Sequence, residues 1–400
     1  MANNNNLPLS GIKVLDLSKV LAGPLCAQYL ADMGASVIKV EVPGSGDDTR
    51  GWPPFRQQGL GAVFMSANRG KRSVAIDLKT PQGRAIVHKL AREADIAIES
   101  FGYGVAERLQ IDAATLQEIN PRLIHCSISG FGRSGPMKTA PGYDVILQAY
   151  SGIMSLTGEK GGPHIRSPIS PVDQTTGMHG LSGILAALYS RERTGRGEAI
   201  EVSLFETALA LLSYNFQSFW EKGQEPERCG SSHEGLCPYQ VFEAADGAVM
   251  IGVANDSLWQ RFCSVADLQS VAKDSRFLTN AGRVDHRPEV IGLVAEAVRK
   301  KSVANWVEAL TAVKVPAAAL NSLAEVLDSP QTGASGMVLE YEKPGVGKLK
   351  GIAHPVRFAG SPRQNSGPPP LLGQDSQDIL RELGLGEEEI AQLRADGVVG

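Results

Sequence analysis

Short β-branched runs alternate with helix-patterned stretches over the first 130 residues, and this alternation restricts the folds open to the chain more than any other feature. IKVLDL (12–17), SVIKVE (36–41), SVAID (73–77), DIAIE (95–99) and RLIHCSI (122–128) read as buried strands. PLCAQYLADMG (24–34) and TPQGRAIVHKLAREA (80–94) carry helical patterns between them. The second opens with Thr80 as a cap and Pro81 at the first helical position. Such alternation predicts an α/β fold: a parallel sheet with right-handed crossovers, wound in the Rossmann manner.

The pattern then changes. Two longer helices are expected around 142–154 and 174–192, and TGRGEAIEV (194–202) reads as a turn feeding a strand. LFETALALLSYNFQSFW (204–220) reads as one long helix, and the polar, Gly-rich EKGQEPERCGSSHEG (221–235) as a linker. YQVFEAADGAVMIGV predicts a hairpin around Asp246-Gly247, followed by helices near 256–267 and 287–313. GSPRQNSGPPPLLG (360–373) is a loop-rich connection before two short amphipathic helices. A chain of 400 residues exceeds one ordinary core. The expected division is a large Rossmann-like domain over 1–220, a small α+β domain over 221–325 and a C-terminal segment over 326–400.

Composition excludes several classes of partner. A net charge of −4 gives no reason to expect nucleic acid or an acidic membrane surface. No apolar run approaches the roughly 18 residues that span a bilayer. The start, MANNNNLPLSG, has no targeting character, and five scattered cysteines read as reduced thiols, so a cytoplasmic location is expected.

Asp173 stands in SPVDQTTGMHG (170–180), just before an apolar helix. It can be read as an N-cap, whose side chain accepts from the free N–H groups of the first turn, or as a residue with chemistry to do. Gly177, Gly180 and Gly183 recur every three residues inside that helix, each weakening it by up to roughly 1 kcal/mol relative to Ala. Repeated at this spacing they imply close approach of another backbone or of a ligand. GFGRSG (130–135) matches G-x-G-x-x-G, but PMKTAPG follows it and opens no helix, so a dinucleotide site is not expected. Cys229, His233 and Cys237 lack a nearby fourth ligand, so no metal is expected. Neither a phosphate-binding P-loop nor a G-x-S-x-G elbow occurs. NRGKRSVAIDLK (68–79) gathers Arg69, Lys71, Arg72 and Lys79 around one strand, with Arg108 on a later helix. These cations form either a solvated face or a site for a phosphorylated carrier.

Taken together, the blocks LSGIKVLDLSKVLAGPLCAQYLADMGASVIKVE, GSGDDTRGW, NRGKRSVAIDLKTPQG, GFGRSGP…PGYDVILQAYSGIMSLTG, VDQTTGMHG, TGRGEAIEVSL and PPPLLGQ resemble the class III CoA-transferases, the CaiB/BaiF family. The resemblance covers essentially the whole chain and implies that Asp173 is the catalytic nucleophile. It implies covalent catalysis through a mixed anhydride and an aspartyl-CoA thioester, without ATP, by an ionised and water-sheltered carboxylate. CoA or acyl-CoA is then a substrate, and no cofactor is expected. The CoA contacts implied are Ala22 after the first strand; Ile76, Leu78 and Lys79 in VAIDLK; Ser100, Phe101 and Gly102 after DIAIE; and Arg108 and Tyr143. Leu78 and Phe101 suit adenine, while Lys79 and Arg108 suit phosphates. The resemblance further implies an interlocked homodimer whose large domain is built from both chain ends.

Two departures narrow the resemblance. Formyl-CoA:oxalate members share GSGD-x-TRGW but carry a glutamine in place of Leu21 and an arginine in place of Val42. GSSHEGLCPYQVFEAADG is similar instead to members that use succinyl-CoA with a dicarboxylate such as glutarate, hydroxymethylglutarate, malate or citramalate. A cation must then hold the distal carboxylate, with Arg166 and His233 as the candidates. The alternatives are an α-methylacyl-CoA racemase and a non-catalytic CoA-binding protein. A racemase uses a His-Asp dipeptide where this chain has Tyr143-Asp144, and a non-catalytic protein has no need of Asp173.

Overall fold

The computed structural model describes residues 7–56, 59–359 and 366–400. The MANNNN start and residues 360–365 of the expected GSPRQN connection lie outside the described residues. The chain divides into two compact units.

The first unit takes Met1–Ile153, Ser167–Gln217 and Gln331–Gly400. Its strands β1 (Lys13–Asp16), β2 (Ser36–Glu41), β3 (Lys71–Ala75), β4 (Ile96–Glu99), β5 (Ile124–Ser129) and β6 (Ala199–Ser203) form one sheet in the order β3-β2-β1-β4-β5-β6. Every pairing in it is parallel. Alternate residues serve opposite faces, as the pleat demands. Val14, Val37, Ile96 and Ile98 join one core, with helices α1 (Ala22–Asp32) and α4 (Pro171–Thr194). Leu15, Val40, Val74 and Ala97 join another, with helix α2 (Pro81–Glu93) and residues of the C-terminal segment such as Ile379 and Val399. Thr80 caps α2, its hydroxyl accepting the Gly83 N–H at 3.0 Å, with Pro81 in the first turn. Helix α3 (Asp144–Ser151) lies between β5 and α4 in the chain. The strand order reverses direction between β1 and β4. In doubly wound sheets, ligands bind outside the carboxyl ends of the strands at such a switch point.

The single helix expected over 204–220 is two, α5 (Leu204–Leu211) and α6 (Ser213–Lys222). The break falls at Leu212, whose N–H turns to Leu209 O at 3.1 Å, a tighter spacing than the α-helical one.

The second unit takes Met154–Arg166 and Ser218–Pro330. Strands Tyr239–Glu243 and Ala248–Gly252 form the antiparallel hairpin expected around Asp246-Gly247, and Ala317–Ala319 adds a third strand. Trp259, Phe262 and Trp306 stack in its core. The helix expected over 287–313 is divided into Arg287–Val298 and Val303–Ala312, because Ser302 starts a new helix by accepting the Asn305 N–H. Among the described residues no helix is long and apolar enough to cross a membrane.

Candidate active site

Asp173 is not the cap of its helix. Helix α4 begins at Pro171, so Asp173 sits inside the first turn, and Ser170 at the cap position makes no side-chain capping bond. The cap comes from another element. Asp144 Oδ2 accepts the N–H groups of Val172 at 2.9 Å and Asp173 at 3.1 Å. Asp144 is buried at the start of α3, and the Gln148 amide donates to its other oxygen. Gln148 Oε1 in turn accepts the Ser167 N–H at 2.8 Å, tying down the approach to α4.

With Asp144 supplying the cap, the Asp173 carboxylate does not serve its own helix. It is half-buried and lines a cavity. Burial, and then the negative charge of Asp144, push its pKa up to about 7. Neutral pH therefore lies near the balance between the protonated and ionised forms of Asp173, and the ionised form is the one the resemblance calls for.

The glycines after Asp173 explain how the cavity is walled. A Cβ on Gly177 would stand 2.7 Å from Ala22 O, and one on Gly180 would stand 3.4 Å from Cys26 Sγ. One on Gly183 would stand 3.1 Å from Ile200 Cγ2. The close approach is thus that of α1 and the sheet. It sets the start of α1 beside the start of α4.

Five of the expected CoA contacts, Ala22, Ser100, Phe101, Gly102 and Tyr143, share the Asp173 cavity. The other four, Ile76, Leu78, Lys79 and Arg108, line a second cavity in the same unit, and Phe101 and Lys19 line both. The two volumes, 240 and 380 Å³, together reach the ~300–1,000 Å³ usual for ligand sites. Both open at the switch point between β1 and β4. The second has an apolar lining from Leu78, Phe101, Val105 and Leu109, and its Lys79 and Arg108 are exposed.

The remaining cations of NRGKRSVAIDLK have other uses. Arg69 is buried in an ion pair with Asp32. Lys71 is buried 2.8 Å from Asp16, and Arg72 pairs with Glu382 through two bonds of 2.9 and 2.8 Å. The phosphate-site reading of that stretch therefore narrows to Lys79. GFGRSG is a wall of the Asp173 cavity, where a Cβ on Gly130 would stand 2.9 Å from Gly142 Cα. Arg133 within it bonds Glu99 at 2.7 Å and Phe101 O at 2.9 Å, holding the loop after β4. Sequence reasoning passed over Arg133, Lys19 and Lys138, all of which line the cavity. Lys138 lies over the Tyr103 ring at 4.7 Å and has no carboxylate partner among the described residues.

Arg166 and His233 belong to the second unit. Arg166 is exposed. His233 is half-buried, its Nδ1 accepting the Gly235 N–H at 3.0 Å and its ring edge-on to Tyr239. Cys229 is exposed and Cys237 lies in the core of that unit.

The cavity at the switch point of the doubly wound sheet, walled by two helix starts, thus presents a carboxylate that does not cap its own helix. The model of CoA-transferase family III matches residues 9–376, and the chain belongs to that family of enzymes. It is 39% identical to a succinate–glutarate CoA-transferase of Agrobacterium fabrum, over 95% of this chain and 96% of the relative. It is 35% identical to the human succinyl-CoA:glutarate CoA-transferase, over 99% and 91% respectively. The crystal structure of a CAIB/BAIF family protein from Brucella suis superposes with a TM-score of 0.83 at 37% identity, covering 94% of this chain and all of that one.

Proposed function

We propose that this CoA-transferase moves CoA from succinyl-CoA to a dicarboxylic acid through an aspartyl-CoA thioester on Asp173. One observation carries the reading: the Asp173 carboxylate lines a cavity while Asp144 performs the capping that Asp173 would otherwise do.

The ionised Asp173 oxygen attacks the thioester carbonyl, and the C–S bond breaks to give a mixed anhydride and CoA thiolate. The thiolate attacks the Asp173 carbonyl, releasing succinate and leaving the aspartyl thioester. The acceptor carboxylate attacks that thioester and expels the thiolate again. Attack of the thiolate on the acceptor carbonyl of the new anhydride yields the product acyl-CoA and regenerates Asp173. Thioester energy is conserved, so no ATP enters. Shelter from water protects both anhydrides.

Ala22, Ser100, Phe101, Gly102 and Tyr143 are proposed to hold the thioester end of CoA, because they share the cavity of Asp173. Ile76 and Leu78, with Lys79 and Arg108, are proposed to hold its nucleotide end, apolar groups against the base and cations against phosphate. Arg166 and His233 are the proposed contacts for the acceptor's distal carboxylate. The exposed apolar side chains Ile146, Tyr150, Tyr189 and Tyr214 on α3, α4 and α6 support a homodimer that covers them. Racemization needs a base at Tyr143-Asp144, and the capping bonds of Asp144 count against it.

Intact-mass spectrometry after incubation with succinyl-CoA tests the reading. A CoA-sized adduct is expected on wild type, absent from Asp173→Ala and discharged by glutarate or another acid in a panel that includes oxalate. No adduct from any of several acyl-CoA donors sinks it.

A further inference from the structure

The turn between β1 and α1 holds a backbone outlier. Val20 has φ of 73°, a left-handed conformation that a β-branched side chain adopts only at a steric cost. Such residues persist where their surroundings over-determine them, and they cluster at sites where function needs a backbone placed.

The surroundings here act on successive residues. The Ser18 N–H goes to Asp16 Oδ1 at 3.0 Å, and the Ser18 carbonyl accepts from Lys39 Nζ at 2.9 Å. The Lys19 N–H goes to Ser100 Oγ at 3.0 Å. The N–H of the strained residue itself goes to the Asp47 carboxylate, 3.2 Å from Oδ2 and 3.4 Å from Oδ1. Asp47 is 3% exposed and held in turn. Its carboxylate pairs with Lys39 at 3.1 Å and accepts the N–H and hydroxyl of Thr49 at 3.0 and 2.7 Å, while its own N–H goes to Glu41 Oε2 at 3.0 Å. Val20, Leu21, Ala22 and Gly23 all line the Asp173 cavity, and Leu21 makes no side-chain cap for α1.

We propose that Asp47 is a positioning residue for acyl transfer, latching Val20 in its left-handed conformation and so holding the start of α1 against the Asp173 cavity. The proposal rests on Asp173 being the nucleophile and gives the GSGDDTRGW stretch a part in the reaction. Without the latch, Val20 relaxes to negative φ, and the peptide that follows it rotates. A misplacement of about 1 Å beside reacting groups can cost roughly 100-fold in rate.

The test is the single-turnover rate of the Asp173–CoA adduct from succinyl-CoA, read by quenched intact-mass spectrometry. It compares wild type, Asp47→Leu, Asp47→Asn, Val20→Gly and the Val20→Gly/Asp47→Leu double variant. Asp47→Leu should react about 10-fold or more slowly, with half-saturating succinyl-CoA within about 3-fold of wild type. Asp47→Asn keeps a carbonyl acceptor and should lose less. The double variant should recover much of the rate, because glycine adopts positive φ freely. Asp47→Ala, whose vacated volume admits water beside Lys39, replaces the Leu variant if that does not fold. A wild-type rate in the folded Leu or Ala variant overturns the proposal, as does a deficit undiminished by Val20→Gly. If wild type itself forms no adduct, Asp173 as nucleophile is what fails. The same variants are then compared by steady-state CoA transfer, where wild-type turnover for Asp47→Leu overturns the latch on its own.

Discussion

Asp144 Oδ2 accepts the backbone N–H of Asp173 at 3.1 Å, so one carboxylate caps the helix whose first turn carries another. The arrangement frees the Asp173 side chain from capping and places a like charge beside it. Both burial and that charge favour the protonated form, and together they outweigh the helix N-terminus, which favours the anion.

The first consequence is a pH profile. As the proposed nucleophile, Asp173 attacks a thioester only when ionised, so kcat/KM for succinyl-CoA should rise with pH through an apparent pKa near 7 and then level off. Asp144→Asn removes the neighbouring charge while keeping a carbonyl acceptor for the helix, so its profile should move to lower pH. A profile flat from pH 5 to 8 in wild type would remove Asp173 from the role of titrating nucleophile.

Stability should titrate in the opposite sense. The folded pKa of about 7 lies above the ordinary 3.8, so the native chain holds a proton that the unfolded chain has lost between those values. Stability from this group is complete below about pH 4 and is lost as pH rises to about 7. Asn at 173 does not titrate. The stability of Asp173→Asn relative to wild type should therefore grow by about 2–3 kcal/mol between pH 5 and pH 8, read from urea midpoints.

Gly177→Ala should separate α4 from α1. Its Cβ would meet the Ala22 carbonyl at 2.7 Å, a backbone atom that cannot rotate away. A loss of about 1–3 kcal/mol is expected, together with slower CoA transfer. Gly183→Ala meets only the Ile200 side chain at 3.1 Å and should cost less. Thermal melts of the two variants decide the order.

Cations of the basic stretch should separate by role. Lys79→Ala and Arg108→Ala should each raise KM for succinyl-CoA about 10-fold. Neither should affect succinyl-pantetheine, which lacks the nucleotide. Arg69→Ala leaves Asp32 buried without its ion pair and should cost about 3–5 kcal/mol of stability instead, seen as a fall in Tm.

Much of the large sheet is legible from one dimension. SVIKVE forms a strand over the expected Ser36–Glu41, and Thr80 caps the helix it was expected to cap, because both features depend on residues within a few positions. The helix breaks at Leu212 and before Ser302 were not legible, since nothing in the local apolar pattern interrupts there. The site divides in the same way. Asp173 is singled out by the family resemblance and not by its own block, while Arg69, Lys71 and Arg72 look as free as Lys79 until Asp32, Asp16 and Glu382 are seen against them.

What the sequence determined alone is the alternation that builds a parallel α/β sheet, the family, and the presence of an aspartate at the start of a glycine-containing helix. The tertiary structure decided what that aspartate is free to do. Its cap comes from Asp144, 29 residues earlier, and the left-handed turn at its cavity is held by Asp47, 27 residues after Val20. Hydrogen bonds of that kind depend on where folding brings two distant segments, and no period or propensity along the chain encodes that distance.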